Sequence, residues 1–199
     1  MEGECPQKDE KMRAYADTRR QQLAYAAVTL LAVALAACGG AAQAPPLGAD
    51  GHIARPVATT PSKSAKMTCA PEASKDISQV LGATTAQPLR PTWVDSVYSC
   101  RYAYATGMMV LSVKELTDSK QTDQYFSELR QKLGHKEQLN GLGQGAFTTR
   151  NDGAVVRKDY KVLLVDTSNL PPQFGSPPQS RVEVATNVAA TIMGCWTGA

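Results

Sequence analysis

Hydrophobic and polar residues alternate with a changing period along residues 66–199, and each period predicts one kind of element. In residues 97–104 large apolar side chains alternate with small or polar ones, which is the two-residue period of a strand. Residues 105–107 can turn the chain into a second strand at 108–116, so these two strands should form a hairpin.

Three other segments have the three-to-four-residue period of a helix. Pro71 begins residues 71–81, and Gly82 follows them. Proline is favoured in the first turn of a helix and glycine just after the last turn, so these residues predict a helix. The other two apolar stripes consist of Tyr125, Phe126, Leu129 and Leu133, followed by Gly134, and of Ala185, Val188, Ile192 and Cys195 within residues 181–196. We expect the helix that contains Tyr125 to cover one face of the sheet.

Three further strands are predicted at residues 146–150, 154–158 and 160–167, and the turn signal at residues 151–153, Asn-Asp-Gly, joins the first two. A proline-rich loop at residues 169–179 separates them from the last helix. The order helix, hairpin, helix, meander, helix predicts an α+β fold in which helices pack against an antiparallel sheet.

A different pattern occupies the N-terminal part of the chain. Residues 23–35 form an apolar run that follows two arginines, and two alanines lead from this run to Cys38. At about 15 residues the run has the length of a signal-peptide core and falls short of the roughly 20 residues that cross a bilayer. The pattern therefore predicts export of the domain that follows.

The segment Leu35-Ala36-Ala37-Cys38 resembles the lipobox of bacterial lipoproteins, whose cysteine thiol receives a diacylglyceryl group before the chain is cut ahead of it. This resemblance implies that residues 1–37 are a lipoprotein signal peptide and that Cys38 carries acyl chains such as palmitate. Two chains anchor a protein firmly, because each buried CH2 contributes about 0.8 kcal/mol. The alternatives are an ordinary cleavage site beside an unmodified Cys38, and a single-span anchor.

The first residues leave the start of the chain and its export route open. Residues 1–11 carry acidic side chains where a signal peptide needs positive charge, so translation from Met12 fits the pattern better. Arg19 and Arg20 are also found in twin-arginine signals, but Gln22 stands where such a signal usually has an apolar residue. We favour export by the Sec route.

Composition divides the exported part into two regions. Residues 38–65 are rich in Ala, Pro, Gly, Thr and Ser and predict a flexible tether, in which residues 59–64 are candidates for O-linked sugar. Residues 66–199 are long enough for a single domain with its own core. Residues 38–199 contain 16 Lys and Arg and 13 Asp and Glu without any basic block, which argues against a nucleic-acid partner.

Three cysteines remain in the exported domain once residues 1–37 are removed and Cys38 is assigned to the lipid, and two of them should pair in an exported protein. We favour a disulfide between Cys69, ahead of the first helix, and Cys100, inside the first strand, because the bond would tie that helix to the sheet. Cys195 would then stay a reduced thiol of the core. The sequence alone leaves the two other pairings open.

The usual catalytic and metal-binding patterns are weak in this chain. Residues 141–145, Gly-Leu-Gly-Gln-Gly, follow a helix and lead into a strand, whereas a phosphate loop leaves a strand and opens a helix. The histidines, His52 and His135, have no acidic or thiol residue at a metal-ligand spacing. A Cys195 nucleophile with His135 as its base is poorly placed, because the thiol lies on an apolar helical stripe. We therefore predict no enzyme, no cofactor, no metal site and no catalytic residues.

Two features have a binding interpretation beside a structural one. Tyr98, Tyr102 and Tyr104 face the apolar side of the hairpin and can line a pocket for a lipid, although an ordinary core is the favoured interpretation. The proline-rich loop can present an extended backbone to a partner, although an inert surface excursion is favoured there.

Several of these features together resemble the uncharacterised cell-envelope lipoproteins of actinobacteria. They are the lipobox, the Thr/Pro/Ser-rich tether, a cysteine ahead of a short helix, the Cys100-Arg101-Tyr102 strand and residues 141–147. The resemblance implies an exported α+β lipoprotein, akin to the PsbP-like fold, and brings no catalytic residues. The leading hypothesis is a lipid-anchored binding or accessory module on the extracytoplasmic face of the cell membrane, with an unknown envelope protein as its partner. The alternative is a carrier with a cavity for an apolar ligand.

Overall fold

The computed structural model describes residues 55–196, which form a seven-stranded sheet with helices on both faces and a separate two-stranded sheet of residues 173–174 and 179–180. The elements in chain order are α1 (Lys63–Lys66), a 3-10 turn (Met67–Cys69), α2 (Pro71–Leu81), β1 (Arg90–Val94), β2 (Val97–Tyr104), β3 (Gly107–Glu115), α3 (Ser119–Leu133), β4 (His135–Gln138), β5 (Gly145–Thr149), β6 (Ala154–Lys158), β7 (Lys161–Asn169), β8 (Gln173–Phe174), β9 (Gln179–Ser180) and α4 (Arg181–Cys195).

Seven strands form the sheet in the order β1-β2-β3-β7-β6-β5-β4, and all neighbours are antiparallel. The predicted α+β class is therefore confirmed. The hairpin of β2 and β3 and the meander of β5, β6 and β7 are joined through the pair β3 and β7, with Val113 opposite Leu163. This pair places the two predicted strand groups in one continuous sheet.

The main core lies on the face of the sheet that α2 and α4 cover. It includes the inward residues of β2, β3 and β7 together with Ile77 and Leu81 of α2 and the apolar stripe of α4.

A second, smaller core lies on the opposite face, where Phe126 and Leu129 of α3 pack against Phe147 and Val155. On this same face β2 and β3 display the half-buried Ser99 and Ser112 and the exposed Arg101. Helix α3 thus covers a sheet face as predicted, over its β5, β6 and β7 part.

The helix ends follow local chemistry. Helix α2 has Pro71 in its first turn and ends at Gly82, whose φ of 57° is the left-handed conformation that glycine adopts at lowest cost. The Asp118 side chain accepts the Gln121 N–H at 2.8 Å and caps α3. This hydrogen bond holds the pKa of the Asp118 carboxyl below its ordinary value. Ser180 and Glu183 form a reciprocal capping box on α4.

The packed chain begins before residue 66, where the sequence analysis placed the start of the domain. The Arg55 N–H donates to the Thr117 carbonyl at 2.9 Å, and the indole of Trp93 donates to the Thr59 carbonyl at 3.2 Å. Ala65 of α1 is completely buried. A segment with few large apolar residues is thus held by backbone hydrogen bonds, which its composition does not reveal.

Asp152, in the turn between β5 and β6, joins this turn to the start of α4. Its carboxylate contacts Lys136 Nζ at 3.0 Å and Arg181 Nη2 at 3.3 Å. The hydrogen bond from Lys136, its charge and that of Arg181 together lower the pKa of Asp152. The two ion pairs therefore contribute stability while Asp152 is ionised.

We expect Asp152→Asn to destabilise the domain by about 1 kcal/mol at neutral pH, because asparagine tolerates the positive φ of 64° but cannot form the ion pairs. Because the pKa of Asp152 is lower in the folded state than in the unfolded chain, its ionised carboxylate stabilises the fold at pH values above the unfolded pKa of about 4. This stabilisation is lost as the pH falls through the folded-state pKa. The difference between wild type and variant in urea unfolding should therefore shrink in acid. A pH-independent difference would contradict this assignment.

Candidate functional site

Several residues singled out in the sequence lie outside the described residues. They are the predicted lipidation site Cys38, its signal peptide, and His52 of the predicted tether. The predictions made for them therefore remain predictions.

Cys69 and Cys100 form a disulfide, with their Cα atoms 5.4 Å apart, which is the pair that the sequence analysis favoured. Cys69 ends the 3-10 turn before α2, and Cys100 is completely buried in β2. The bond therefore fastens the segment ahead of α2 to the sheet. Cys195 is also disulfide-bonded, so the prediction of a reduced Cys195 thiol is wrong.

The tyrosine face of β2 belongs to the main core. Tyr102 is completely buried, and its hydroxyl donates to the Thr68 carbonyl at 2.7 Å. The ring of Tyr104 meets that of Phe174 edge to face, with centroids 4.7 Å apart. Burial raises the pKa of both phenols, so they stay neutral at physiological pH. These side chains have the packing contacts of an ordinary core, the interpretation that the sequence favoured.

The glycine-rich residues 141–145 connect β4 to β5 and form a tight loop against β6. Gly141 and Gly143 both have positive φ, 76° and 60°. The Gln144 N–H donates to the Arg157 carbonyl at 2.8 Å, and the Gln144 side chain accepts the Asp159 N–H at 2.9 Å. The segment thus closes on its own neighbours, as expected for a loop.

The two glycines offer a matched pair of substitutions. A Cβ at Gly143 would lie 2.5 Å from the Arg157 carbonyl oxygen, whereas a Cβ at Gly141 has nothing within 4 Å. Gly141→Ala should therefore cost only the backbone strain, about 1 kcal/mol, and Gly143→Ala about 2 to 4 kcal/mol. Urea unfolding of both variants measures the difference. Equal losses would show that the loop does not approach β6 this closely.

The proline-rich loop is fastened to the domain, which corrects its interpretation as an inert surface excursion. Phe174 is only 6% exposed, and the Ser176 N–H donates to the Leu81 carbonyl at 2.8 Å. The Gln179 side chain donates to the Val80 carbonyl at 3.1 Å. The loop therefore satisfies the free carbonyls at the end of α2, and an apolar anchor inside it reaches the main core.

The structure does not bring Cys195 and His135 together. His135 is exposed at the start of β4, beside the Arg130 guanidinium and the Phe147 ring of the smaller core. Cys195 ends α4, on the other face of the sheet. Within residues 55–196 no three Asp, Glu, His or Cys side chains lie close enough to hold a metal ion. None of the helices described in this range is both long and apolar enough to cross a membrane.

A groove of about 170 Å³ lies where the described chain begins, and we call it the N-terminal groove. Residues 55–58 and Ser62 form one wall, and the other residues come from the ends of β2, β3 and β7. These are Ser96, Glu115, Leu116, Thr117, Tyr160 and Lys161. Arg55 stacks over the Tyr160 ring, 4.5 Å from its centroid.

The charged side chains of Glu115 and Lys161 in the N-terminal groove differ in their hydrogen bonds. The Glu115 carboxylate accepts the Ser62 N–H at 3.0 Å. Lys161 is only 5% exposed, although it lines the groove, and its ammonium has no hydrogen bond or ion pair with any described residue. The sequence indicates the inward position of Lys161, because Lys161 shares the core side of β7 with Leu163 and Val165. The sequence analysis missed this residue.

No family model, no curated protein and no solved structure matches this chain.

Proposed function

We propose that this protein is a lipid-anchored binding or accessory module of the cell envelope, exposed on the extracytoplasmic face of the membrane. The observation that carries the proposal is the pattern of residues 23–38, in which a short apolar run ends in Leu-Ala-Ala-Cys. The disulfide between Cys69 and the completely buried Cys100 supports it, because such bonds persist in oxidising, exported environments.

The length of chain between the proposed lipid and the described residues also fits an anchor. The described residues begin at Arg55, and the 17 residues 38–54 lie between the proposed lipid on Cys38 and that position. Fully extended, they span at most about 60 Å, which keeps the domain close to the bilayer surface. Arg55, the first described residue, lines the N-terminal groove, so the proposed anchor segment joins the described domain at that end of the sheet.

The binding role of the domain rests on its solid core and on its open surfaces. Tyr102 and Met109, which a carrier would use to line a cavity, are both completely buried, and the Tyr102 hydroxyl is hydrogen-bonded. We therefore place the interaction at the surface and do not extend the proposal to an internal apolar ligand. The resemblance to actinobacterial lipoproteins stays a prediction.

The experiment that tests this function is the intact mass of the protein purified from membranes, combined with protease treatment of whole cells. We expect a chain of residues 38–199 with a diacylglyceryl group on Cys38, and a domain that externally added protease removes. An unmodified Cys38, or a domain that protease reaches only after lysis, would overturn the proposal.

A further inference from the structure

Lys161 is a charged side chain in an unusual position. It occupies the first position of β7 on the core side of the sheet, directly opposite Glu115 of β3. Lysines are rarely buried unless they are paired, because removing the ammonium from water costs several kcal/mol. Lys161 is 5% exposed as a whole residue, but its ammonium nitrogen is not among the buried side-chain atoms that lack a partner, so its stem is buried while the ammonium keeps contact with solvent, and Lys161 lines the N-terminal groove.

A second cation lies on the same groove. The Arg55 guanidinium is held over the Tyr160 ring, which restricts it to this end of the sheet. Arg55 and Lys161 face a single carboxylate, that of Glu115, which is already hydrogen-bonded to the Ser62 backbone. The groove therefore has an excess of positive charge.

We propose that the N-terminal groove binds a phosphate-type anion, held between the Lys161 ammonium and the Arg55 guanidinium. Guanidinium and ammonium groups are the side chains that bind phosphate oxygens best, the first through a planar fork and the second as a point charge. The space is sufficient, since about 170 Å³ far exceeds the roughly 10–15 Å³ that one water requires by the same measure.

The phosphate has two chemical sources. One is a free phosphate ion, and the other is the headgroup of an anionic phospholipid. The headgroup source rests on the proposed function, because it requires the anchor to hold this end of the domain at the bilayer. Anion binding by the groove does not require the lipid on Cys38, so the two proposals fail independently.

The test is a titration of the purified full chain, in neutral detergent at low ionic strength, with inorganic phosphate and with dihexanoyl phosphatidylglycerol below its micellar concentration. Isothermal calorimetry measures both affinities. We expect saturable binding of at least one probe, and a loss of at least ten-fold in affinity in Lys161→Met and in Arg55→Gln. Tighter binding of the phosphatidylglycerol identifies a headgroup, and tighter binding of the free ion identifies phosphate. Absence of binding by both probes would overturn the site.

The control is Lys132→Met, which removes one positive charge from an exposed position of α3 and should change either affinity less than two-fold. Methionine at position 161 keeps most of the buried stem of the lysine, so the domain should remain folded. If thermal unfolding shows that Lys161→Met is nevertheless unfolded, Arg55→Gln decides the matter, because Arg55 is exposed. An equal loss of affinity in Lys132→Met would show that the anion responds to the net charge of the protein, and this result would overturn the site.

Discussion

Cells that express Cys38→Ala should contain the precursor of this protein, uncleaved and without lipid. In the lipobox interpretation only a thiol at this position receives the diacylglyceryl group, and cleavage follows that modification. The loss of anchoring is large, because two acyl chains with about 0.8 kcal/mol per CH2 are replaced by an apolar run of about 15 residues that is too short to span a bilayer. Labelling with a radioactive fatty acid and extraction of membranes with alkaline carbonate measure both changes.

Cys5→Ala is the matched control, because it makes the same substitution in the same N-terminal region but outside the lipobox. It should leave the mass, the lipid label and the membrane fraction unchanged, and translation from Met12 would remove residue 5 altogether. A Cys38→Ala protein that keeps its lipid label, or is cut at the same bond, would refute the assignment.

The second large effect is expected from the disulfide between Cys69 and Cys100. The bond closes a loop with a sequence separation of 31, for which the chain-entropy model gives about 3 to 4 kcal/mol. Cys69→Ala and Cys100→Ala should each lower the free energy of unfolding in urea by this amount. Alanine is the suitable replacement, because Cys100 is completely buried and a serine hydroxyl would have to be buried with it.

The double variant separates the bond from the packing of the two side chains. If the covalent link is responsible, Cys69→Ala/Cys100→Ala should be about as unstable as either single variant, so the losses will not add. Adding a reducing agent should lower the stability of the wild type towards that of the variants. Additive losses in the double variant, or a wild type that is insensitive to reduction, would show that the side chains act separately.

The sequence by itself determined the elements whose signals are local. Helix α2 begins and ends at the predicted residues because Pro71 and Gly82 act through their own backbone preferences. Strand β2 also has the predicted bounds, since its buried residues alternate without a break with less buried ones. The turn at residues 151–153 specifies the hairpin of β5 and β6 in the same way.

The sequence analysis missed the two edge strands, and the reason is physical. Strand β4 consists of four exposed residues, His-Lys-Glu-Gln, with no apolar pattern, and forms because the outer edge of β5 offers hydrogen bonds. Strand β1 contains Pro91, which lacks an N–H and is tolerated at an edge. Neither segment has a local preference for strand structure strong enough to be recognised in the sequence. Both strands form because they pair with the edge of the sheet beside them.

Of the candidate site, the sequence predicted one pair and missed the groove. Cys69 and Cys100 were identifiable, because a strand fixes the direction of Cys100 and a helix start lies beside Cys69. The N-terminal groove brings together Arg55, Glu115 and Lys161, which are separated by 60 and 46 positions in the chain. Such a neighbourhood arises only from the pairing of β3 with β7 and from the hydrogen bond between Arg55 and Thr117. Local preferences therefore determined most of the helices and strands of this protein, whereas long-range strand pairing decided which charges share a surface.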